Sequence, residues 1–395
     1  MTRLNGQIRT SYKHKDTSKK RVLVALSGGV DSSVAAALLK KAGYAVEGAY
    51  MRCWSEGPYC SAEVDQADAA KVAATLEIPF HVFDFERKYR DTVIDYFYKE
   101  YEAGRTPNPD VMCNKEIKFG LFLEKALELG FDYIATGHYA RVRYQTPETR
   151  DQNSGNGSLA TGIDKDKDQS LEQYQLLAGF DRAKDQSYFL YLLGQAQLSQ
   201  TIFPLGDLTK KKVRQLAKKF NLPTASKPDS TGICFVGPAR IREFLLQQIN
   251  KKHGDIVSIE GEVLGKHIGL AFYTIGQREG LGVSASVPFY VAGKDTKTNK
   301  LIVAPFGHLA LFKDKFAATD LSWVQGQEPK YPVKVEVKMR YRAQNVPAQL
   351  HKGASGEVEV ALEQTERAIT PGQAAVFYQG DRVIGGATID RVIPK

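Results

Sequence analysis

Ser27, Gly28, Gly29, Val30, Asp31, Ser32 and Ser33 form the run with the clearest chemistry in this chain. They follow an apolar stretch, Val22 to Leu26, and lead into a helical period over Val34 to Lys41. Backbone N–H groups and the helix dipole at such a junction point at an incoming anion. The two glycines let the backbone close around a phosphate. The order is not a Walker loop, which ends Gly-Lys-Ser/Thr, nor the dinucleotide G-x-G-x-x-G. Gly261 to Lys266 comes near a Walker loop but has the wrong spacing. The plain alternative is a Gly-Ser turn that only joins strand to helix.

The other reactive candidates are thiols. Four cysteines, Cys53, Cys60, Cys113 and Cys234, in 395 residues make no disulfide scaffold, and no pair has C-x-x-C spacing. They are expected to be reduced, either inert or catalytic. Cys113 lies in the run Gly104 to Asn114, where Pro107 and Pro109 predict a stiff, non-helical loop ahead of a helix beginning near Lys115. A thiol there gains thiolate character from the helix N-terminus and neighbouring cations. Cys234 lies in Asp229 to Phe235, whose turn residues expose a side chain on a loop. A buried, inert thiol is the alternative for each. Cys53, Cys60 and His81 lack a fourth zinc ligand at ordinary spacing, so no metal site is predicted.

These residues need a scaffold, and the first part of the chain supplies one. From Arg21 to about Thr136, short apolar runs alternate with helical periods, the habit of a parallel sheet covered by helices. Strands are predicted at Val22–Leu26, Ala45–Met51, Phe80–Phe85 and Tyr133–Thr136. Helices are predicted from Ser61 towards Leu76, around Asp91 to Tyr101, and from Lys115 to Leu129. The fold class is therefore α/β, a doubly wound parallel sheet. Residues 145–172 are polar and without an apolar period, a mobile insertion on a hairpin of Ala140–Tyr144 with Tyr174–Ala178. Beyond about Arg240, short alternating segments predict antiparallel structure and small β-barrels. Val333, Val335, Val337 and Met339 alternate with Lys334, Glu336, Lys338 and Arg340, one face for a core and one for charge. The expected domains are a basic leader (1–20), a catalytic α/β domain (21–238), a small central β-rich domain (239–312) and a C-terminal β-barrel (313–395).

Composition excludes other classes. With 43% hydrophobic and 25% charged residues the chain is neither disordered nor membranous, and no run of about 18 apolar residues is present. The net charge of +9 invites a nucleic-acid partner, but residues 1–21 hold seven basic residues against one acid, +6 of that total. This leader reads as a floppy tail or a transit peptide, not a secretory signal. Lys210, Lys211, Lys212, Arg214, Lys218 and Lys219 share a helix with inward Val213, Leu216, Ala217 and Phe220. Its basic stripe is either an RNA-phosphate surface or a solvated face.

The loop at Ser27, between its strand and its helix, resembles that of the PP-loop ATP pyrophosphatases. The resemblance implies ATP along Ala25, Leu26, Ser27, Gly28, Gly29, Val30, Asp31 and Ser32, against Met51, and at Gly137 in Thr136 to Tyr139, with Mg2+ accompanying it. His138 in that stretch reads as a structural turn histidine. Further runs match in order: Arg105 to Asn114, Lys184 to Leu190, Asp229 to Phe235, Gly265 to His267, Tyr273 to Gly282, and Pro371 to Gly386. With them, nearly the whole chain after residue 20 is similar to the tRNA-specific 2-thiouridylases.

That resemblance implies a sulfurtransferase. ATP would adenylate the C2 oxygen of a wobble uridine, and a persulfide on Cys234 would supply sulfur, giving 2-thiouridine, AMP and pyrophosphate. Cys113 would be the partner nucleophile and Asp110 an acid/base beside it. Sulfur attacks directly or as released hydrosulfide, and both routes end in a Cys113–Cys234 disulfide. The resemblance nominates Asn108, Pro109 and Asp110 around the target base, Lys184, Asp185 and Gln186 as tRNA contacts, and Arg340 with Tyr341 in the barrel. It implies a cytoplasmic monomer served by a cysteine desulfurase or a sulfur-relay protein. Two other functions use the same loop: a small-molecule adenylating ligase, and a non-catalytic tRNA-binding module. Neither needs paired cysteines.

Overall fold

The computed structural model describes residues 20–55, 62–145, 173–229, 241–283, 287–354 and 356–394. Nearly all of the predicted leader and insertion, together with Cys60, Ser61 and Cys234, lie outside the described residues.

Alternation builds the first layer. Along β1 (Arg21–Ala25), Val22 and Val24 enter one core and Leu23 and Ala25 the other, all nearly inaccessible, as a strand covered on both faces requires. With β2 (Ala45–Arg52), β3 (Phe80–Asp84), β4 (Tyr133–Ala135) and β7 (Thr201–Ile202) it forms a parallel sheet in the order β3-β2-β1-β4-β7. The order reverses at β1, so β1 and β4 diverge to form a crevice at their carboxyl ends. Helix α1 (Val30–Lys41) covers the Val22 face with α2 (Ala62–Thr75) and the helix Lys210–Lys219. The other face is covered by helical residues 86–102 and 109–128.

Strands β5 (Ala140–Gln145) and β6 (Gln173–Ala178) pair as the expected hairpin. Their sheet is not the parallel one. Leu176 and Leu177 pair with Val383 and Arg382 of β17 (Arg382–Val392), so the hairpin extends the C-terminal sheet. That sheet runs β12 (Phe312–Trp323), β15 (Val358–Arg367), β14 (Val346–Lys352), β13 (Val333–Lys338), β16 (Ala374–Gln379), β17, and closes by pairing β12 with β17. The result is a six-stranded barrel filled by Phe316, Val337, Leu350, Val360, Phe377 and Ile389.

The central domain has β8 (Gly254–Ser258), β9 (Val263–His267), β10 (Phe289–Asp295) and β11 (Lys300–Pro305) in the order β10-β11-β8-β9. The β8–β11 pair is parallel, a departure from the all-antiparallel expectation. One hydrophobic core runs unbroken from Leu23 and Phe97 through Tyr188 to Val291, Val376 and Tyr378, joining all three domains.

Candidate functional site

The loop after β1 is folded by its own hydroxyls. Ser27 N–H donates to Ser32 Oγ (3.1 Å), Ser32 Oγ donates to Gly29 O (3.2 Å), and Ser33 Oγ donates to the same oxygen (2.7 Å). Gly29 occupies the N-cap of α1 without a capping side chain, so no side chain competes with an anion for the first amides. Gly28 has φ +71°, and a Cβ there would lie 2.3 Å from Asp65 O. A Cβ at Gly137, just past β4, would lie 2.7 Å from Ser32 N. Both positions form a cradle that only glycine leaves open. Met51, near the end of β2, lies half-buried at the same carboxyl edge, two residues past the Ala25–Ala49 pair. The nucleotide residues named from the sequence therefore share one end of the sheet.

A charge network sits against this loop. Both Asp31 oxygens accept from Lys210 Nζ at 2.7 Å, and Asp31 Oδ1 also accepts from the Tyr139 hydroxyl at 2.8 Å. Lys210 Nζ also pairs with Asp229 Oδ1 (2.8 Å), while Lys184 Nζ donates to Asp229 Oδ2 (2.8 Å) and Arg214 pairs with Asp229 as well. Burial alone would raise the Asp229 carboxyl, but Lys184 and Lys210 hold it well below the usual carboxylate range. Burial, and then Asp31, push the Tyr139 phenol far up, so it stays a proton donor. Lys227 Nζ bridges Asp65 and Asp68 of α2 at 2.7 Å each, and Thr224 Oγ1 donates to Ser33 Oγ at 3.0 Å. Residues 224–229, which lead to the Cys234 run, are thus bound to the nucleotide loop and its neighbouring helix. Cys234 itself lies outside the described residues.

Cys113 departs from expectation. The chain around it is helical from Pro109, because proline is tolerated at the first helical position and the Asn108 side chain caps Val111 N–H at 3.4 Å. Cys113 begins a stretch of wide i to i+5 turns, Cys113–Leu121, and is 6% exposed. Gly120 is required there, since a Cβ would meet Lys115 O at 2.8 Å. Burial pushes the neighbouring Asp110 carboxyl up from its ordinary value, with Lys118 opposing.

The approach to this helix is held by the other two domains. Thr106 N–H donates to Pro371 O (2.9 Å), Gln373 Nε2 donates to Thr106 O (2.8 Å) and Pro107 O (3.1 Å), and Thr106 Oγ1 donates to Thr274 Oγ1 (3.2 Å). Lys294 Nζ donates to Gly104 O at 2.8 Å.

Two of the RNA-contact residues named from the sequence hold internal positions. Asp185 is 3% exposed, accepting from Gly179 N–H (2.9 Å), Ser187 N–H (3.1 Å) and Ser187 Oγ (3.0 Å), and pairing with Lys338 at 3.4 Å. Gln186 Oε1 accepts from Tyr139 N–H at 3.0 Å. The buried Asp185 carboxylate spends its bonding capacity internally, and the half-buried Gln186 amide ties Tyr139 to the same loop. Lys338, expected on a solvated face of β13, is buried against this loop for the same reason. Arg340 donates to Ala368 O, and Tyr341 packs on Phe189 with ring centroids 4.5 Å apart. Burial raises the Tyr341 phenol, with the Arg342 guanidinium opposing.

His138 is buried against Phe119 and Phe203 and shares a 2.8 Å hydrogen bond with Thr136 Oγ1. Burial lowers it well below its ordinary value, so it is a neutral structural histidine, as expected. His81 Nε2 lies 2.7 Å from Glu47 Oε2. Sequence reading missed Tyr139, Gln373 and Lys294, and took Lys210 and Arg214 for surface charge. Tyr139 ends the Thr136 run and Gln373 lies in the Pro371 run, but neither carries a signal of its partner.

Three family models together match most of the chain: a tRNA methyl transferase HUP domain over residues 20–175 and 171–238, a tRNA methyl transferase PRC-barrel domain over 242–305, and an aminomethyltransferase beta-barrel domain over 313–389. Among curated relatives, the tRNA-specific 2-thiouridylase MnmA of Geobacillus thermodenitrificans is 46% identical over 384 residues, 96% of this chain and 97% of its own. The Bacillus subtilis protein of the same name is 45% identical, covering 94% of this chain and 95% of its own. That of Hydrogenovibrio crunogenus is 45% identical, covering 95% of each.

Proposed function

Since this chain belongs to the family of the tRNA-specific 2-thiouridylases, we propose that its site activates a tRNA uridine with ATP and replaces the C2 oxygen with sulfur carried on Cys234. The observation that supports this reading is the glycine cradle of Gly28 and Gly137 at the first turn of α1, to which Thr224 and Lys227, on the segment leading to Cys234, are tied through Ser33, Asp65 and Asp68.

ATP is a substrate here, held by the amides of Ser27 to Ser32 and given room by Gly28 and Gly137. The uridine C2 oxygen attacks the α-phosphorus, a phosphorus–oxygen bond forms, and pyrophosphate leaves into the loop. AMP is then a leaving group that the bare oxygen is not. The terminal sulfur of a Cys234 persulfide bonds to C2 as the carbon–oxygen bond to AMP breaks. Either that sulfur attacks while still attached, with Cys113 thiolate then taking Cys234 into a disulfide, or Cys113 first displaces hydrosulfide, which attacks. Both routes oxidise the two thiols to one disulfide, and a thiol reductant must restore them. Asp110, with its raised carboxyl, exchanges the proton at Cys113 or at the base.

Asn108 and Pro109 flank the base, and Lys184, Arg340 and Tyr341 form the RNA-facing rim. Tyr341 offers a stacking surface for an unpaired base, which costs little to extrude. Asp185 and Gln186 serve that rim by holding Lys184 in place. Magnesium would enter with the nucleotide, and no step is assigned to it. Among the described residues no helix is long and apolar enough to cross a membrane. The enzyme works as a monomer in the cytoplasm, loaded by a desulfurase or a sulfur relay.

The test is mass spectrometry of nucleosides from tRNA incubated with the protein, ATP, magnesium and a persulfide source. Wild type should yield 2-thiouridine, while Cys113→Ala and Cys234→Ala should yield none yet still release pyrophosphate. Sulfur incorporation by either variant would remove that cysteine from the chemistry.

A further inference from the structure

Lys210 begins the basic helix, yet its side chain is only 13% exposed. The helix turns it inward: Thr209 Oγ1 caps the helix by accepting from Lys212 N–H (3.3 Å), and Lys210 N–H donates to Asp181 Oδ2 (2.9 Å). The ammonium then reaches both oxygens of Asp31 and one of Asp229, and lies 5.9 Å from the centre of the Tyr139 ring. Lys211, Lys212, Lys218 and Lys219 on the same helix are exposed.

Asp31 lies in the first turn of α1, inside the loop that must receive a polyphosphate. An unbalanced carboxylate there would repel that ligand, because like charges a few ångströms apart in a poorly solvated site oppose each other strongly. The charge that cancels it is Lys210. Its second partner, Asp229, is itself fixed by Lys184 and Arg214, so the ammonium is held from behind as well as in front.

We propose that Lys210 is a positioning residue of the nucleotide site: by neutralising and orienting Asp31 it makes the Ser27–Ser33 loop fit for a polyphosphate, and it is no part of the RNA-phosphate surface. The inference rests on the nucleotide reading above. It assigns phosphate-contacting capacity on this helix to the four exposed lysines alone.

The experiment compares full-length wild type, Lys210→Met and Lys210→Arg in ATP binding by titration calorimetry and in tRNA binding across a salt series. Lys210→Met should weaken ATP binding roughly tenfold or more, as expected when a part-buried carboxylate loses its charged partner. Lys210→Arg should recover most of the loss, and tRNA affinity and its salt slope should not change in either variant. A double variant, Lys210→Met with Asp31→Asn, should lose less ATP affinity than Lys210→Met alone, because the repulsion is removed with the carboxylate. It serves also if the single variant fails to fold. Unchanged ATP binding in Lys210→Met, or a shallower tRNA salt slope, would overturn the assignment. Wild type that bound no ATP would overturn the nucleotide reading itself, a different failure from wild-type binding with an indifferent Lys210→Met.

Discussion

At the scale of single residues, the site depends on positions where a side chain has no room. Gly28 combines a left-handed backbone with an Asp65 carbonyl 2.3 Å from where a Cβ would be. Alanine there costs about 1–2 kcal/mol in backbone conformation alone, and the contact is with backbone, which cannot swing aside. Gly28→Ala should therefore push α2 away from the loop and weaken ATP binding by roughly tenfold or more. Binding within twofold of wild type, measured by titration, would show that the cradle tolerates the change. The cysteines are the opposite case, since both are proposed for their chemistry and not for the space around them. Cys113 was nominated by its company in the Arg105 to Asn114 run, and its burial and its place within a helix came only from the structure.

Elements decide how the Cys113 helix is presented. Gly104 to Pro107 is an irregular segment with few bonds of its own, and its backbone oxygens are taken by Gln373 from the barrel and Lys294 from β10. Burial pushes the Lys294 ammonium down to about 8. An unfolded lysine titrates near 10.4, so between pH 8 and 10.4 the unfolded chain holds a proton that the folded chain has lost. Stability attributable to Lys294 should therefore rise with pH across that window, by about 3 kcal/mol. Below pH 8 the full cost of burying the charge is present. Urea unfolding of wild type and Lys294→Met at pH 7 and pH 10.5 checks this, because the difference between the two proteins should move in favour of wild type as pH rises. A difference that stays flat would place Lys294 in solvent.

At the scale of the whole molecule, one hydrophobic core joins three recognisable domains. The β5–β6 hairpin belongs to the α/β segment by sequence and to the barrel by hydrogen bonding. Tyr188 hydroxyl donates to Ala374 O at 3.0 Å, Ser187 Oγ lies 3.1 Å from the Tyr378 hydroxyl, and Asp185 pairs with Lys338 across the same boundary. A chain ended at residue 311 would expose β6 as an unpaired edge and leave Asp185 as a buried charge without its cation. That fragment should aggregate or lack near-ultraviolet circular dichroism. A soluble fragment with a cooperative melt would show that the α/β domain folds alone.

The sequence by itself determined the parallel sheet and the loop that opens α1. Each depends on local periodicity or on residues close together in the chain: the Val22, Leu23, Val24 alternation and the Ser27 to Ser33 spacing. Only the tertiary structure decided where charge went. Lys210 and Lys211 are neighbours of one type on one helix, yet one is spent on Asp31 and Asp229 and the other is exposed. Asp185 and Lys338, both read as surface groups, meet in the interior 153 residues apart. Whether a charge is solvated or neutralised depends on what another part of the chain brings within a few ångströms, and sequence spacing carries no record of that distance.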